Sequence, residues 1–333
     1  MKVVFFLPYF YPHIGGVEKH SLEVARRLKR KGYKVIVVTE GNRDKKEKIS
    51  GIEVYRLYFG KKNWFKKFRI WLKILKYREL IRSADTIHCH DVFFWYLPLR
   101  IMYPGKKVFI TFHGFENIPP KIKEIFIRRL SEKLSSGNIA VGDYIKKWYG
   151  TNSNLVTYGA IDKIHKSTGS FNQRKPKILL IGRLESDIGI KSYIETLKTL
   201  SNFNLDVLGD GSFREELRKY GTVHGFVKNP DPYFKKADII FASSYLSMLQ
   251  GLSFRKPVFS IYENNFKRDY LLMSPLARFT VIKGSPKRLE DEVKLVMGDR
   301  ILRESLILKS SEWIKNQTWD KITNQYLALW KLK

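Results

Sequence analysis

A chain of 333 residues that is 44% hydrophobic and 14% aromatic has more apolar surface than one small core needs. That excludes a disordered tail and a disulfide-stapled module, and suits two domains. Its 62 Lys and Arg against 32 Asp and Glu give a net charge of +30, so its partners are expected to be anionic: nucleic acid, an acidic membrane surface or phosphorylated metabolites. A single cysteine, Cys89, excludes a disulfide framework or cysteine-rich zinc site and fits a reducing cytoplasm. No run is long and apolar enough to span a bilayer and no stretch reads as a signal peptide, so a soluble cytoplasmic protein is expected. The charge is uneven: residues 1–150 carry 32 basic and 13 acidic side chains, leaving 30 and 19 for residues 151–333.

Strand-like and helix-like patterns alternate from the start. Val3-Val4-Phe5-Phe6-Leu7 is a continuous apolar run, as in a strand covered on both faces. The loop PYFYPHIGG follows, and then a helix with Val17, Ser21, Val24, Ala25 and Leu28 on one face, closed by Gly32. A second strand, 34–39, completes a βαβ unit with Gly15-Gly16 at its strand-to-helix turn. Further strands are expected at 52–57, 85–90, 107–112, 138–142 and 154–157, with helices over 61–82 and 121–135. The polar stretch 163–176 reads as an interdomain linker. The pattern restarts with a strand at 177–181, a helix at 189–201, and strands at 203–208, 222–226, 238–242 and 257–261. The tail 299–333 reads as helical, and its Trp313, Trp319, Tyr326 and Trp330 are more aromatics than one domain surface needs. The expected fold is α/β: two Rossmann-like, doubly wound domains facing a cleft, with a C-terminal helix bracing both. A single barrel is the alternative, and it leaves the mid-chain linker unexplained.

Ligands of doubly wound folds sit beyond the carboxyl ends of the strands, and three such places are unusual here. At Gly15-Gly16 backbone amides and the positive end of a helix dipole can approach an anion unhindered. The bland reading is a flexible loop. At Gly182-Arg183-Leu184, followed by Gly189, a guanidinium at a strand end has the fork geometry that suits a diphosphate. The bland reading there is a surface arginine on a tight turn. Gly209-Asp210-Gly211 is a third glycine pair at a strand end.

Taken in order, these segments resemble the retaining glycosyltransferases of family 4, which have the GT-B fold. FLPYFYPHIGGVEKHSLEVARRLKRKGYKVIVVT resembles the family's opening, with its GG-x-E loop. DTIHCHD and VFITFHG are similar to its D-x-I-H-x-H and T-x-H-G segments, and NLVTYGAID to its V-x-x-I-x-N-G-V-D. LLIGRLESDIG resembles G-R-L-x-x-x-K-G, LDVLGDGSFREEL the G-D/E-G loop, and the region ending SSYLSMLQGLSFRKPVFS the run E-A-M-A-x-G-x-P-V. The resemblance implies transfer of a sugar from a nucleotide-sugar, as co-substrate, to an acceptor, with retention and with no metal or other cofactor. It implies an acceptor-binding domain at 1–165, a nucleotide-sugar-binding domain at 166–310, and a helix at 311–333 crossing back. By position, His113 would stand beside the transferred sugar, for which the bland reading is a satisfied core histidine. Gly15, Gly16, Arg183, Gly209 and Gly211 would line the donor. His88 and His90 alternate onto one strand face; without a nearby carboxylate or thiol they read as packing or acceptor-side residues and not as a metal pair.

Two departures bear on activity. The lysine of G-R-L-x-x-x-K-G is Ile188, and Lys191, one helical turn on and on the same face, is the expected substitute. The glutamate that would receive the ribose hydroxyls is Gln250, which keeps an acceptor oxygen and loses the charge, and an earlier glutamate is missing.

Residues 61–82 carry nine Lys and Arg and one acid, Glu79. Trp64, Phe68, Trp71 and Leu75 recur at helical spacing among Lys61, Lys62, Lys66 and Lys67, as in a helix lying in an anionic lipid interface. The bland reading is a helix packed on its own domain with solvated lysines. The leading expectation is therefore a peripheral enzyme at the cytoplasmic membrane face, with a glycan or lipid-linked acceptor. The alternatives are a degenerate, non-catalytic GT-B scaffold and a basic nucleic-acid-binding protein. No nucleic-acid motif is recognisable, so no nucleic-acid partner is expected.

Overall fold

The computed structural model describes residues 1–61, 63–165 and 175–331, so Lys62 and residues 166–174 of the expected linker lie outside the described residues. The chain divides into two compact units. The first comprises Met1–Thr157 with the last helix, Trp319–Lys331, and the second comprises Tyr158–Thr318. The division falls before the expected 165/166 boundary because residues after Thr157 pack within the second unit. Ile161 N–H donates to the Gln317 carbonyl at 2.9 Å, and His165 stacks on Phe254 with centroids 3.6 Å apart.

In the first unit the strands are β1 (Lys2–Leu7), β2 (Lys34–Glu40), β3 (Lys45–Ile49), β4 (Ile52–Leu57), β5 (Thr86–His90), β6 (Val108–Phe112), β7 (Gly137–Val141) and β8 (Leu155–Thr157). They form one sheet in the order β3-β4-β2-β1-β5-β6-β7-β8, parallel except for the antiparallel β3–β4 pair. Val3 to Leu7 are all fully buried, as the apolar run requires of a strand with both faces covered. β3, KKEKI, was invisible to a pattern of apolar residues. Its hairpin turns through Ser50 and Gly51, both at positive φ, and its lysines guard the sheet edge from further pairing.

The second unit contains β9 (Lys177–Ile181), β10 (Asn204–Leu208), β11 (Thr222–Gly225), β12 (Ile239–Phe241), β13 (Val258–Ile261) and β14 (Val281–Lys283). Their order is β11-β10-β9-β12-β13-β14, all parallel. In both sheets the strand order reverses beside the unit's first strand, between β1 and β5 and between β9 and β12. Those are the switch points at which such folds bind ligands.

Two helical expectations are corrected. Residues 61–82 form two helices, Lys66–Leu75 and Arg78–Arg82, with Trp64 and Phe65 in the preceding turn. The break at Lys76–Tyr77 lays the Tyr77 ring edge-on against Tyr55 of β4, at 5.6 Å. The packing face there is Ile70, Ile74 and Ile81, so the aromatic stripe is not the core face. The tail is likewise two helices, Arg300–Lys315 and Trp319–Lys331. Its aromatics divide between the units: Trp313 stacks on Phe279 in the second, while Trp319, Tyr326 and Trp330 are core residues of the first.

Candidate functional site

In the first unit, His88 and His90 alternate along β5 and point to one face of the sheet, where β6 adds Thr111 in register with His90, and His113 just beyond. The helix Gly16–Arg30 brings His20 onto this face, and the last helix brings Tyr326 and Trp330. His20, His88 and His90 are buried, and His113 is half-buried. Burial drives the pKa of His20, His88 and His90 well below the ordinary imidazole value, because an imidazolium would lose its hydration there. His113 is held down to about 3, by desolvation first and by the Arg128 guanidinium second. All four rings are therefore neutral near pH 7, each with one hydrogen to place.

The hydrogen-bond chain places two of them, those of His88 and His20. Trp330 Nε1–H can only donate, and it does so to His88 Nδ1 at 3.0 Å. The His88 hydrogen must then sit on Nε2, which donates to Thr111 Oγ1 at 2.7 Å. The Thr111 hydroxyl finds its acceptor in the Tyr326 oxygen at 2.8 Å, and Tyr326 O–H donates to His20 Nε2 at 2.9 Å. One obligate donor on the last helix thus sets the direction of the whole chain. The His20 ring ends 4.8 Å from that of His113 in an edge-on contact. His90 Nδ1 lies 2.8 Å from His113 Nε2, and the His113 backbone N–H donates to Asp91 Oδ1 at 3.0 Å. Arg128 bonds the Gly114 carbonyl and lies over the Tyr149 ring at 3.9 Å, fixing the loop that carries His113. Among the described residues no group of three or more His, Cys, Asp or Glu is arranged to hold a metal ion.

Gly16 opens the first helix and Gly15 precedes it in an extended conformation. A Cβ at Gly15 would lie 2.2 Å from Glu18 Oε2, so the glycine makes room for a carboxylate that folds back to His13 Nδ1 at 2.8 Å.

In the second unit, Arg183 stands just past the carboxyl end of β9 with its side chain 59% exposed, paired with Asp187. The loop closes at Gly189, whose φ of +82° starts the helix Ile190–Thr199. This register corrects one expectation. Ile188 belongs to a short 3-10 turn and is buried in the hydrophobic core, whereas Lys191 is exposed, with Nζ 5.9 Å from the Phe213 ring centroid. A left-handed glycine separates the two, so Lys191 does not share the face of Ile188. Gly209 and Gly211 have a packing reason of their own. A Cβ at Gly209 would lie 1.8 Å from the Gly182 oxygen, and one at Gly211 2.5 Å from the Leu184 oxygen. The two loops are laced together by Gly182 N–H to the Leu208 carbonyl at 3.0 Å and by Leu184 N–H to the Asp210 carbonyl at 2.9 Å. Gln250, on the helix Tyr245–Ser253, donates from Nε2 to Asp231 Oδ1 at 3.1 Å.

Sequence reasoning missed His20 and Thr111, and gave Tyr326 and Trp330 no part in the site beyond that of surplus aromatics on a bracing helix. It also missed Lys267, on the helix Asn265–Leu272, buried with Nζ 4.1 Å from the Tyr270 ring centroid. Burial lowers its pKa to about 7, against the opposing pull of Asp187.

The basic aromatic stretch lies outward. Trp64 is 70% exposed, Phe65 stacks on it at 4.7 Å, and Phe68 is about half exposed. Lys61 and Lys67 are exposed, Lys66 pairs with Glu40 at 2.6 Å, and Trp71 tucks its Nε1–H onto the Phe94 carbonyl at 2.7 Å. The helix Ile122–Leu134 also turns apolar side chains out: Ile122 is 87% exposed and Phe126 64%. No helix among the described residues is long and apolar enough to cross a membrane.

Two parallel-sheet units with ligand loops at their switch points define a GT-B protein, and the match to known proteins makes it a glycosyltransferase of that type. Residues 14–155 match the family model Glycosyltransferase Family 4. An uncharacterized glycosyltransferase of Methanocaldococcus jannaschii is 21% identical to it, over 94% of this chain and 93% of that protein. The structure is similar to sucrose-phosphate synthase of Thermosynechococcus elongatus, with TM-score 0.78 and 14% identity over 99% and 98% of the two chains. It is also similar to Anabaena HepE in complex with UDP and glucose, with TM-score 0.74 and 11% identity over 98% of each chain.

Proposed function

We propose that this protein is a retaining, metal-independent glycosyltransferase of hexosyl type that moves a sugar from a nucleotide-sugar to a glycan or lipid-linked acceptor. The observation that carries the reading is Arg183. It is an exposed guanidinium beyond the first strand of the second sheet, beside the point where strand order reverses, paired with one half-buried acid. In this reading Arg183 neutralises the diphosphate as charge grows on the leaving group, a task a fixed cation performs without reorganising. Within the second unit Lys191 and Gln250 serve the donor, with Gly209 and Gly211 holding the loop beneath it; within the first, Gly15 and Gly16 offer backbone amides to an anion. His113 hydrogen-bonds the transferred sugar. The complex of HepE with UDP and glucose supports a uridine nucleotide as the first donor to try. The test is turnover of UDP-, GDP- and ADP-sugars with simple glycoside acceptors, followed by NMR. An α-linked product from an α-linked donor supports retention, and a β-linked product contradicts it.

The proposal extends to location: a peripheral enzyme on the cytoplasmic face of an anionic membrane. Its support is the outward Trp64, Phe65 and Phe68 among Lys61 and Lys67, and the outward Ile122 and Phe126. Lipid is favoured over nucleic acid because these apolar side chains would gain nothing from a phosphate backbone. Binding to anionic vesicles that survives salt better than binding to duplex DNA is the expected result. A second reading, a non-catalytic scaffold, draws on Ile188 in the core and on the Tyr270 hydroxyl, which accepts the Tyr245 backbone N–H at 3.2 Å at the start of its helix.

A further inference from the structure

Among the described residues, His90 is the one member of the histidine cluster with a ring nitrogen that is both buried and without a hydrogen-bond partner. Its Nδ1 meets His113 Nε2 at 2.8 Å, while its Nε2 is buried with no hydrogen-bond partner. The rings around it are those of Phe5 at 5.0 Å, His88 at 5.1 Å and His113 at 5.0 Å. None offers a free acceptor: Phe5 has none, and both nitrogens of His88 are used by Trp330 and Thr111.

Two neutral arrangements of the pair exist. If His113 donates from Nε2, the His90 hydrogen is forced onto Nε2, leaving a buried N–H with nothing to bond. If His90 donates from Nδ1, only a lone pair is left over. Orphaned buried N–H groups are the rarer of the two in folded proteins, so the second arrangement is favoured. The His113 hydrogen then sits on Nδ1. That atom has no hydrogen-bond partner among the described residues, on a ring that is only half-buried.

We propose that His90 is a positioning residue: by donating from Nδ1 to His113 Nε2 it fixes His113 as the Nδ1–H tautomer, presenting a hydrogen-bond donor to a hydroxyl oxygen of the bound sugar. The identity of that ligand rests on the function proposed above; the tautomer does not. His90 itself touches no substrate. Its effect is to remove the choice His113 would otherwise have between donating and accepting, so that the ring meets its ligand already oriented.

The test begins with the protein alone. Ring-15N histidine labelling and long-range proton–nitrogen correlation near pH 7.5 report the tautomer of each ring, with His113→Gln and His90→Asn assigning the signals. The expected wild-type pattern is a protonated Nδ1 and a bare Nε2 on His113. His90→Asn, whose amide puts an N–H donor near the place of Nδ1, is expected to keep that pattern, and His90→Ala to yield a mixture of tautomers. A wild-type His113 protonated on Nε2, or a His113 signal unchanged in His90→Ala, overturns the proposal; if His90→Ala does not fold, the wild-type spectrum decides. A titration with UDP and UDP-glucose then separates positioning from general damage. His90→Ala is expected to weaken UDP-glucose about fivefold and UDP hardly at all, with His90→Asn close to wild type; equal weakening of both ligands overturns the positioning role. Absence of binding by the wild-type protein would sink the functional reading, while the spectra would still decide the tautomer.

Discussion

The two units share a sheet order around their first strands, yet their strand ends are opposite in chemistry. On β5, just past β6 and on the facing first helix lie four neutral histidines, three of them buried, and a tryptophan on the last helix directs the hydrogens of His88 and His20. Beyond β9 lies an exposed guanidinium paired with a half-buried acid. The first arrangement has little freedom to move and carries no charge, which suits it to orienting a polar, uncharged group. The second carries charge in reach of water, which suits it to an ion that must arrive and leave. One fold supplies both because function sits in the loops and not in the sheet.

The largest expected effect breaks the comparison with acid. The folded pKa values of His20, His88, His90 and His113 all lie below the unfolded value of 6.5, so the unfolded chain takes up protons first. Stability is complete above that pH and is lost as pH falls from it, towards about 3 in the case of His113. The slope is about 1.4 kcal/mol per pH unit for each histidine. Urea denaturation at pH 7.5, 6.5 and 5.5 should show a steep fall over the last step; a flat profile would mean that the cluster is not dry. A smaller effect is expected of Trp330→Phe, which keeps a ring in place and removes the obligate donor. His88 Nδ1 is left unpaired and the chain loses its fixed direction, at a cost of about 1–3 kcal/mol. Equal stability of variant and wild type would show that the chain is not held by Trp330. The smallest is Asp187→Asn in the other unit. An ion pair whose guanidinium is open to water contributes little, so a change under about 1 kcal/mol is expected in stability, with tighter binding of UDP as Arg183 is released. Weaker binding would mean that Asp187 holds Arg183 in its working position.

Much of the fold was legible because parallel strands buried on both faces leave continuous apolar runs, as Val3–Leu7 and Ile178–Ile181 do. β3 was not, because an edge strand of lysines has no apolar face to show. At the candidate site, Arg183 and His113 stood out through the residues around them. The expectation that Lys191 shares the face of position 188 did not hold, because a helical turn was counted through Gly189, whose left-handed backbone resets the helix. The partners of the histidines were hidden for a different reason. Tyr326 lies 306 residues from His20, and Trp330 lies 242 from His88, and at their own positions both look like the apolar stripe of a terminal helix. A sequence pattern shows which residues face inward, but not which of them meet.

The most direct test of the central claim is calorimetric titration of the folded protein with UDP-, GDP- and ADP-sugars, beside Arg183→Ala. The account predicts binding of one nucleotide series, weakened by about 3 kcal/mol, roughly a hundredfold, in Arg183→Ala, with the thermal midpoint unchanged. Binding that Arg183→Ala leaves intact, or no binding of any series, would contradict it; the second result would point to a scaffold in which Ile188 and Gln250 mark a donor site that has been lost.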